Sequence, residues 1–143
     1  KGNRVSRNQI MAIKEESVTE QKNSLAVCLD NILRHAGITR NTEYDLAQGK
    51  TATTILSENM TGVQVLDLSG CTLDAVLYYV NQDIPVLAIL DDGEAVLVTG
   101  FNEFNVVIME PSTGKLYKKG MNDATAWFAE NGNHFITYMR TEN

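Results

Sequence analysis

The chain has 143 residues, 43% of them apolar, and a formal net charge of −6 with a pI near 4.8. That is enough chain for one domain with a real core. The negative balance, with no basic cluster larger than Lys118-Lys119, argues against nucleic acid or an anionic membrane as partner, and no apolar run approaches the ~18 residues of a membrane span.

In chain order, residues 7–16 suggest a short helix inside a lead-in over 1–17. Residues 24–36 predict the best helix, opened by Asn23 or Ser24 as cap and ended by Gly37. "EYDLAQGKTATTILSEN", 43–59, reads as one or two short helices broken at Gly49, and "GVQVLDL", 62–68, as a strand. A helix follows over 72–82 and a strand over 85–90. Residues 94–110 predict two strands around a tight turn near Asn102-Glu103. "KLYKKG" suits an edge strand, because lysines discourage further pairing. Residues 122–132 predict a helix capped by Asn122 or Asp123 and stopped by Gly132, and "HFITYMR" a closing strand. Helices followed by a mostly antiparallel sheet make an α+β class, with the helices packed on the sheet. With neither an initiator Met nor a signal-like segment near Lys1, the chain reads as one domain over 1–143 cut from a longer protein.

Within 24–36, Leu25, Cys28, Leu29, Ile32, Leu33 and Ala36 fall on one helical stripe, with Asp30, Asn31 and Arg34 outside it. Cys28 therefore reads as core. It lies too deep for the free N–H groups of the helix start, and His35 is about 10 Å further along the axis, at ~1.5 Å per residue. Thiol chemistry at Cys28 would instead predict fast alkylation of the native protein. Cys28 and Cys71 either pair or are both small buried residues. With no Cys-x-x-Cys, and only His35 and His134, no metal site is expected, and no Gly-rich phosphate loop points to a cofactor. Ser24, at the helix start, is either a capping serine or a nucleophile placed to use unpaired N–H groups. Trp127 and Phe128 are expected to pack on the sheet, Tyr78 and Tyr79 to be half-buried, and His134 to be structural or exposed.

"PVLAILDDGEAVLVTGFNEFNVVIMEPSTGKLYKKG", followed by a Trp-bearing helix and a last strand, resembles the papain-like cysteine peptidases of the bacteriocin-processing, double-glycine leader type. That family starts a helix with Cys-Gly-x-x-x-x-Ala. It opens a later strand with the catalytic His of a His-x-Val-x-Val-x-Gly-Tyr pattern, and closes the hairpin with Asp/Asn-Pro-x-x-Gly. The counterparts here are "EAVLVTGF" at 94–101 and "EPSTG" at 110–114, and order and spacing match over roughly 18–139. The resemblance implies a papain-like fold and carries four positions across. The nucleophile falls on Ser24, the His on Glu94, the orienting Asp/Asn on Glu110, and the oxyanion-hole Gln on Val18. Gln21 is nearby but misplaced by three, and the Gly after the nucleophile is Leu25. None of the four keeps its residue.

A serine hydroxyl needs an adjacent base, for which a glutamate is a poor choice at neutral pH. A missing oxyanion-hole side chain alone costs about 10²–10³ in rate. No useful peptidase activity is expected. The hairpin places residue 94 across from about 111, bringing Glu94 and Glu110 together with Asp91 and Asp92 at one end. These four either make an acidic cleft floor that attracts a peptide amine or basic side chain, or are solvated carboxylates facing water. The expectation is a degenerate, non-catalytic peptide- or protein-binding or structural module of a larger bacterial protein. Its cleft candidates are Gln21, Ser24, Asp92, Glu94 and Glu110. No nucleic-acid partner and no membrane insertion of this domain are expected. The resemblance suggests an extracytoplasmic location, at the cell surface or secreted. The alternative is a weak peptide hydrolase using Ser24 with Glu94 and Glu110, working best at low pH.

Overall fold

The structure is a computed structural model that describes residues 9–10 and 23–141. Its elements are β1 (Gln9–Ile10), α1 (Ser24–His35), α2 (Glu43–Ala47), α3 (Ala52–Asn59), β2 (Val63–Asp67), α4 (Leu73–Val80), β3 (Val86–Ile89), β4 (Ala95–Phe101), β5 (Asn105–Glu110), β6 (Lys115–Gly120), α5 (Met121–Glu130) and β7 (His134–Arg140). Six strands run in the order β2-β7-β3-β4-β5-β6, and β1 pairs beside Gly100 and Phe101 of β4. Every pairing is antiparallel. This is the α+β architecture expected, with β6 at an edge. The closing strand is interior, however: β7 runs between β2 and β3.

Helices cover both faces of the sheet. On the first, α1 and α3 pack Cys28, Leu29, Ile32, Ile55 and Leu56 against Leu87, Leu97, Met109 and Tyr138. On the second, α4 and α5 pack Leu73, Val76, Ala124 and Phe128 against Val86, Val98, Ile108 and Phe135. β4 is buried along its whole length, which is why "AVLVTGF" is a continuous apolar run rather than an alternating one. No helix among the described residues is long and apolar enough to cross a membrane.

Some local expectations are met and others need correction. Gln9 and Ile10, inside the supposed lead-in helix, are extended and paired to β4; the rest of 7–16 lies outside the described residues. Asp30 and Asn31 are buried, because the segment after α1 folds back over that side. There Asp30 Oδ1 accepts the Thr42 N–H and hydroxyl, both at 2.8 Å. Asn31 turns inward by donating to Val27 O. Asn23 caps α1, its Oδ1 accepting the Leu25 N–H at 2.8 Å. α5 starts at Met121 without a side-chain cap; the Met121 N–H is taken instead by Phe104 O at 2.7 Å. Tyr78 is largely exposed, while Tyr79 is half-buried between the two clusters. Cys28 and Cys71 are both free thiols; Cys28 is buried and Cys71 only partly so.

Candidate functional site

At the end of the sheet where β4 begins and β5 stops, a cleft of about 280 Å³ opens. Three short segments, together with β6 and α5, build it. The first is the start of α1, where Ser24 is half-buried and its Oγ accepts the Ala95 N–H at 2.9 Å. The hydroxyl thereby satisfies the first N–H of a strand whose opening residue is itself buried.

The second segment is the β3–β4 turn. Leu90 N–H donates to Glu94 O at 2.7 Å, and Gly93 takes a φ of +88° that a side chain would strain. Asp92 Oδ1 accepts the Glu94 N–H at 2.9 Å, and Asn131 Oδ1, from the end of α5, accepts the Asp91 N–H at 2.9 Å. The turn is thus tied to α1 on one side, through Ala95, and to the end of α5 on the other.

The third segment is "EPSTG" after β5. The Gly114 N–H returns to Glu110 O at 2.7 Å, closing a tight turn with Gly114 at φ +73°. Ser112 Oγ donates to Glu110 Oε2 at 2.9 Å and so orients the carboxylate. Across the β5–β6 ladder, Glu110 stands opposite Lys115.

Ser24, Asp92, Glu94 and Glu110 line this one cleft together. Asp92 and Glu94 are exposed and Glu110 is half-buried, while Asp91 is exposed and outside the lining. Val18 and Gln21 lie outside the described residues. The facing of Glu94 differs slightly from expectation. The β4–β5 loop contains three residues, 102–104, not two, and a bulge between Val98 and Gly100 takes back part of the shift. Continuing the observed Leu97↔Met109 register sets Glu94 opposite Ser112, one residue beyond the expected partner.

Two aromatic walls escaped the sequence reading. Tyr117 comes from β6 and Trp127 from α5, and both line the cleft. Burial, and then the Glu110 carboxylate, push the Tyr117 phenol above its ordinary pKa. The Lys119 ammonium sits 4.8 Å from the centre of the Trp127 ring and fixes one side of the indole. The only signal for Trp127 was its place at the margin of the α5 stripe made by Met121, Ala124 and Phe128.

The chemistry of the lining is one-sided. Its described residues include three carboxylates and no His, Cys, Lys or Arg. His35 lies at the other end of α1, its Nε2 3.4 Å from Asp83 Oδ2. His134 is exposed at the start of β7. Burial, and then the Glu110 and Asp30 carboxylates, push the Cys28 thiol far above its usual range. Among the described residues, no group of three His, Cys, Asp or Glu side chains is arranged to hold a metal ion.

No family model matches the chain, and no curated protein matches it. Among solved structures, it is similar to one named for a C39-like peptidase from Bacillus anthracis, with a TM-score of 0.75 and 12% identity, covering 94% of this chain and 98% of that one. At that identity the likeness is one of fold. It is the peptidase-like α+β fold that the sequence resembles, over nearly the whole of both chains.

Proposed function

We propose that the chain is a peptidase-fold module that binds rather than cuts. Its cleft takes a peptide or protein segment through a free amine or basic side chain, as one domain of a larger extracytoplasmic bacterial protein. One observation carries this reading: the Ser24 hydroxyl is engaged by the Ala95 N–H in a cleft whose described lining offers carboxylates and no imidazole. A serine with no base beside it is a weak nucleophile. Carboxylates beside Trp127 and Tyr117 suit a cation with an apolar stem.

Trp127 is the sole tryptophan of the chain, so its fluorescence reports on the cleft directly. Short peptides bearing lysine or arginine should change that emission saturably, and acidic peptides of matched length should not. The double variant Glu94→Gln, Glu110→Gln should weaken binding by about tenfold or more, the size of one lost charge-assisted hydrogen bond. Unchanged affinity in that variant would sink the reading. A serine-directed covalent probe should leave Ser24 unlabelled at acidic and neutral pH. Labelling that disappears in Ser24→Ala would replace binding with hydrolysis at Ser24.

A further inference from the structure

The two edges of the sheet are chemically unlike. β6 carries Lys115, Lys118 and Lys119, so a second copy laid against it would meet a row of like charges. β2, "VQVLD", has neither Lys, Arg nor Pro, and among the described residues it pairs with β7 alone. Its hydrogen-bonding phase is fixed at both ends. Leu68 N–H donates to Phe135 O at 2.8 Å, and Thr141 N–H to Gly62 O at 2.9 Å. Even-numbered residues therefore bond to β7. Val63, Val65 and Asp67 turn their N–H and C=O groups outward along the open edge.

We propose that this edge is a self-association surface: two copies pair β2 with β2, antiparallel about a two-fold axis at Val65, and continue the sheet across the dimer. The outward phase suits that axis. Val65 meets Val65 of the second copy and Val63 meets Asp67, each as a hydrogen-bonded pair. About six backbone bonds form without either copy breaking one to β7. The side chains agree with the register. Val63 stands beside Arg140 of β7, and Asp67 beside Ile136. Arg140 of one copy and Asp67 of the other would then share a row and a face, two strand spacings apart, with Val63 between them. Arg140 gives one N–H to Gln82 O and keeps others in its fork. On the opposite face Gln64 pairs with Met139, so Leu66 of the second copy would join the row of Met139, which is 40% exposed in the single chain. An isologous contact asks a strand to complement itself. β2 does so through valine on valine and arginine toward aspartate, whereas β6 would set lysine near lysine.

Sedimentation velocity on the intact chain over micromolar to about millimolar concentration reads the proposal, since a contact this small falls in the weak range. A reversible monomer–dimer equilibrium is expected. Val65→Pro removes an N–H that serves no bond among the described residues, and should weaken the dimer by about a hundredfold or more while leaving circular dichroism native. Asp67→Arg should weaken it by about threefold, and adding Arg140→Asp should restore it. This charge swap keeps the proposal testable if Val65→Pro fails to fold. A monomer at every concentration overturns the proposal, as does a dimer indifferent to both Val65→Pro and the charge swap.

Discussion

Replacing Ser24 by alanine removes the oxygen that accepts the Ala95 N–H at 2.9 Å. Ala95 is only 1% exposed, so water cannot easily take over that N–H. Leaving a buried donor unpaired costs about 1–2 kcal/mol. For a chain of 143 residues, an unfolding entropy of about 2.1 cal/mol/K per residue sums to roughly 0.3 kcal/mol/K, so the melting temperature should fall by about 3–7 °C. Denaturant unfolding should give the same loss at an unchanged m value, since no surface changes hands. Ser24→Thr, which keeps the acceptor, should recover part of the stability. Ser24→Cys should not create a peptidase, because a thiol placed among Asp92, Glu94 and Glu110 is disfavoured as thiolate and has no imidazole beside it. The reasoning fails if Ser24→Ala is as stable as the parent, for then the hydroxyl is not holding the strand. It also fails if Ser24→Cys alkylates quickly at neutral pH.

Three further outcomes follow from the same contacts. Cys28 is 0% exposed with its thiol pushed up by burial, so an aromatic disulfide reagent should react with it only on unfolding; a fast native reaction at that residue would place it outside the core. Asp30→Ala leaves the buried Thr42 N–H without its 2.8 Å acceptor, while the hydroxyl can turn to Ala26 O at 3.2 Å, and should lower stability by about 2 kcal/mol in denaturant melts; a loss under ~0.5 kcal/mol would mean the α1–α2 connection is not anchored there. Asp67 is held below its ordinary pKa by the Ser69 hydroxyl and N–H, so its contribution is complete above the unfolded-state value near 3.9 and fades as pH falls through the lower folded value. Asp67→Asn should therefore be less stable than the parent at pH 6, and the gap should shrink steadily as pH falls through the carboxylate range. A gap that widens in acid would reverse the assigned sign.

Local periodicity made most elements legible, and long-range packing decided the rest. The break at Gly49 was readable because the chain must leave the helix there, and Gly49 takes φ +91°. β4 was readable from its apolar run. The apolar stripe of α1 was correct but too narrow. Asp30 is polar by composition and buried by partnership, and its partner Thr42 is twelve residues away, beyond any helical period. Likewise, nothing in "HFITYMR" says that it will slide between β2 and β3; that place is chosen by pairing with strands far away in sequence. The same division holds in the cleft. Ser24, Glu94 and Glu110 were located by the family resemblance of the segments that carry them. Tyr117 and Trp127 join them only because β6 and α5 return to the same end of the sheet.

The rim of the cleft owes its shape to hydrogen bonds that leave out the Glu94 carboxylate it displays. Glu94 is held by its carbonyl to Leu90 and by its N–H to Asp92. The neighbouring residues are fastened to Ser24 and Asn131, and the Glu110 carboxylate is aimed by Ser112. None of these bonds uses the Glu94 carboxylate. A rim fixed in this way presents charge with little ordering left to do on binding, the condition under which a small cleft gains affinity. Two kinds of variant should behave differently. Glu94→Gln should alter ligand affinity and leave the melting temperature within about 2 °C, as exposed substitutions do. Asn131→Ala, which frees the Asp91 N–H, should lower stability and loosen the turn. It should also raise the amide exchange rate at 91–94, read residue by residue by NMR, while leaving the charge of the cleft untouched. If Asn131→Ala left that exchange unchanged, the turn would be rigid for some other reason, and preorganisation of the rim by its flanking clamps would be wrong.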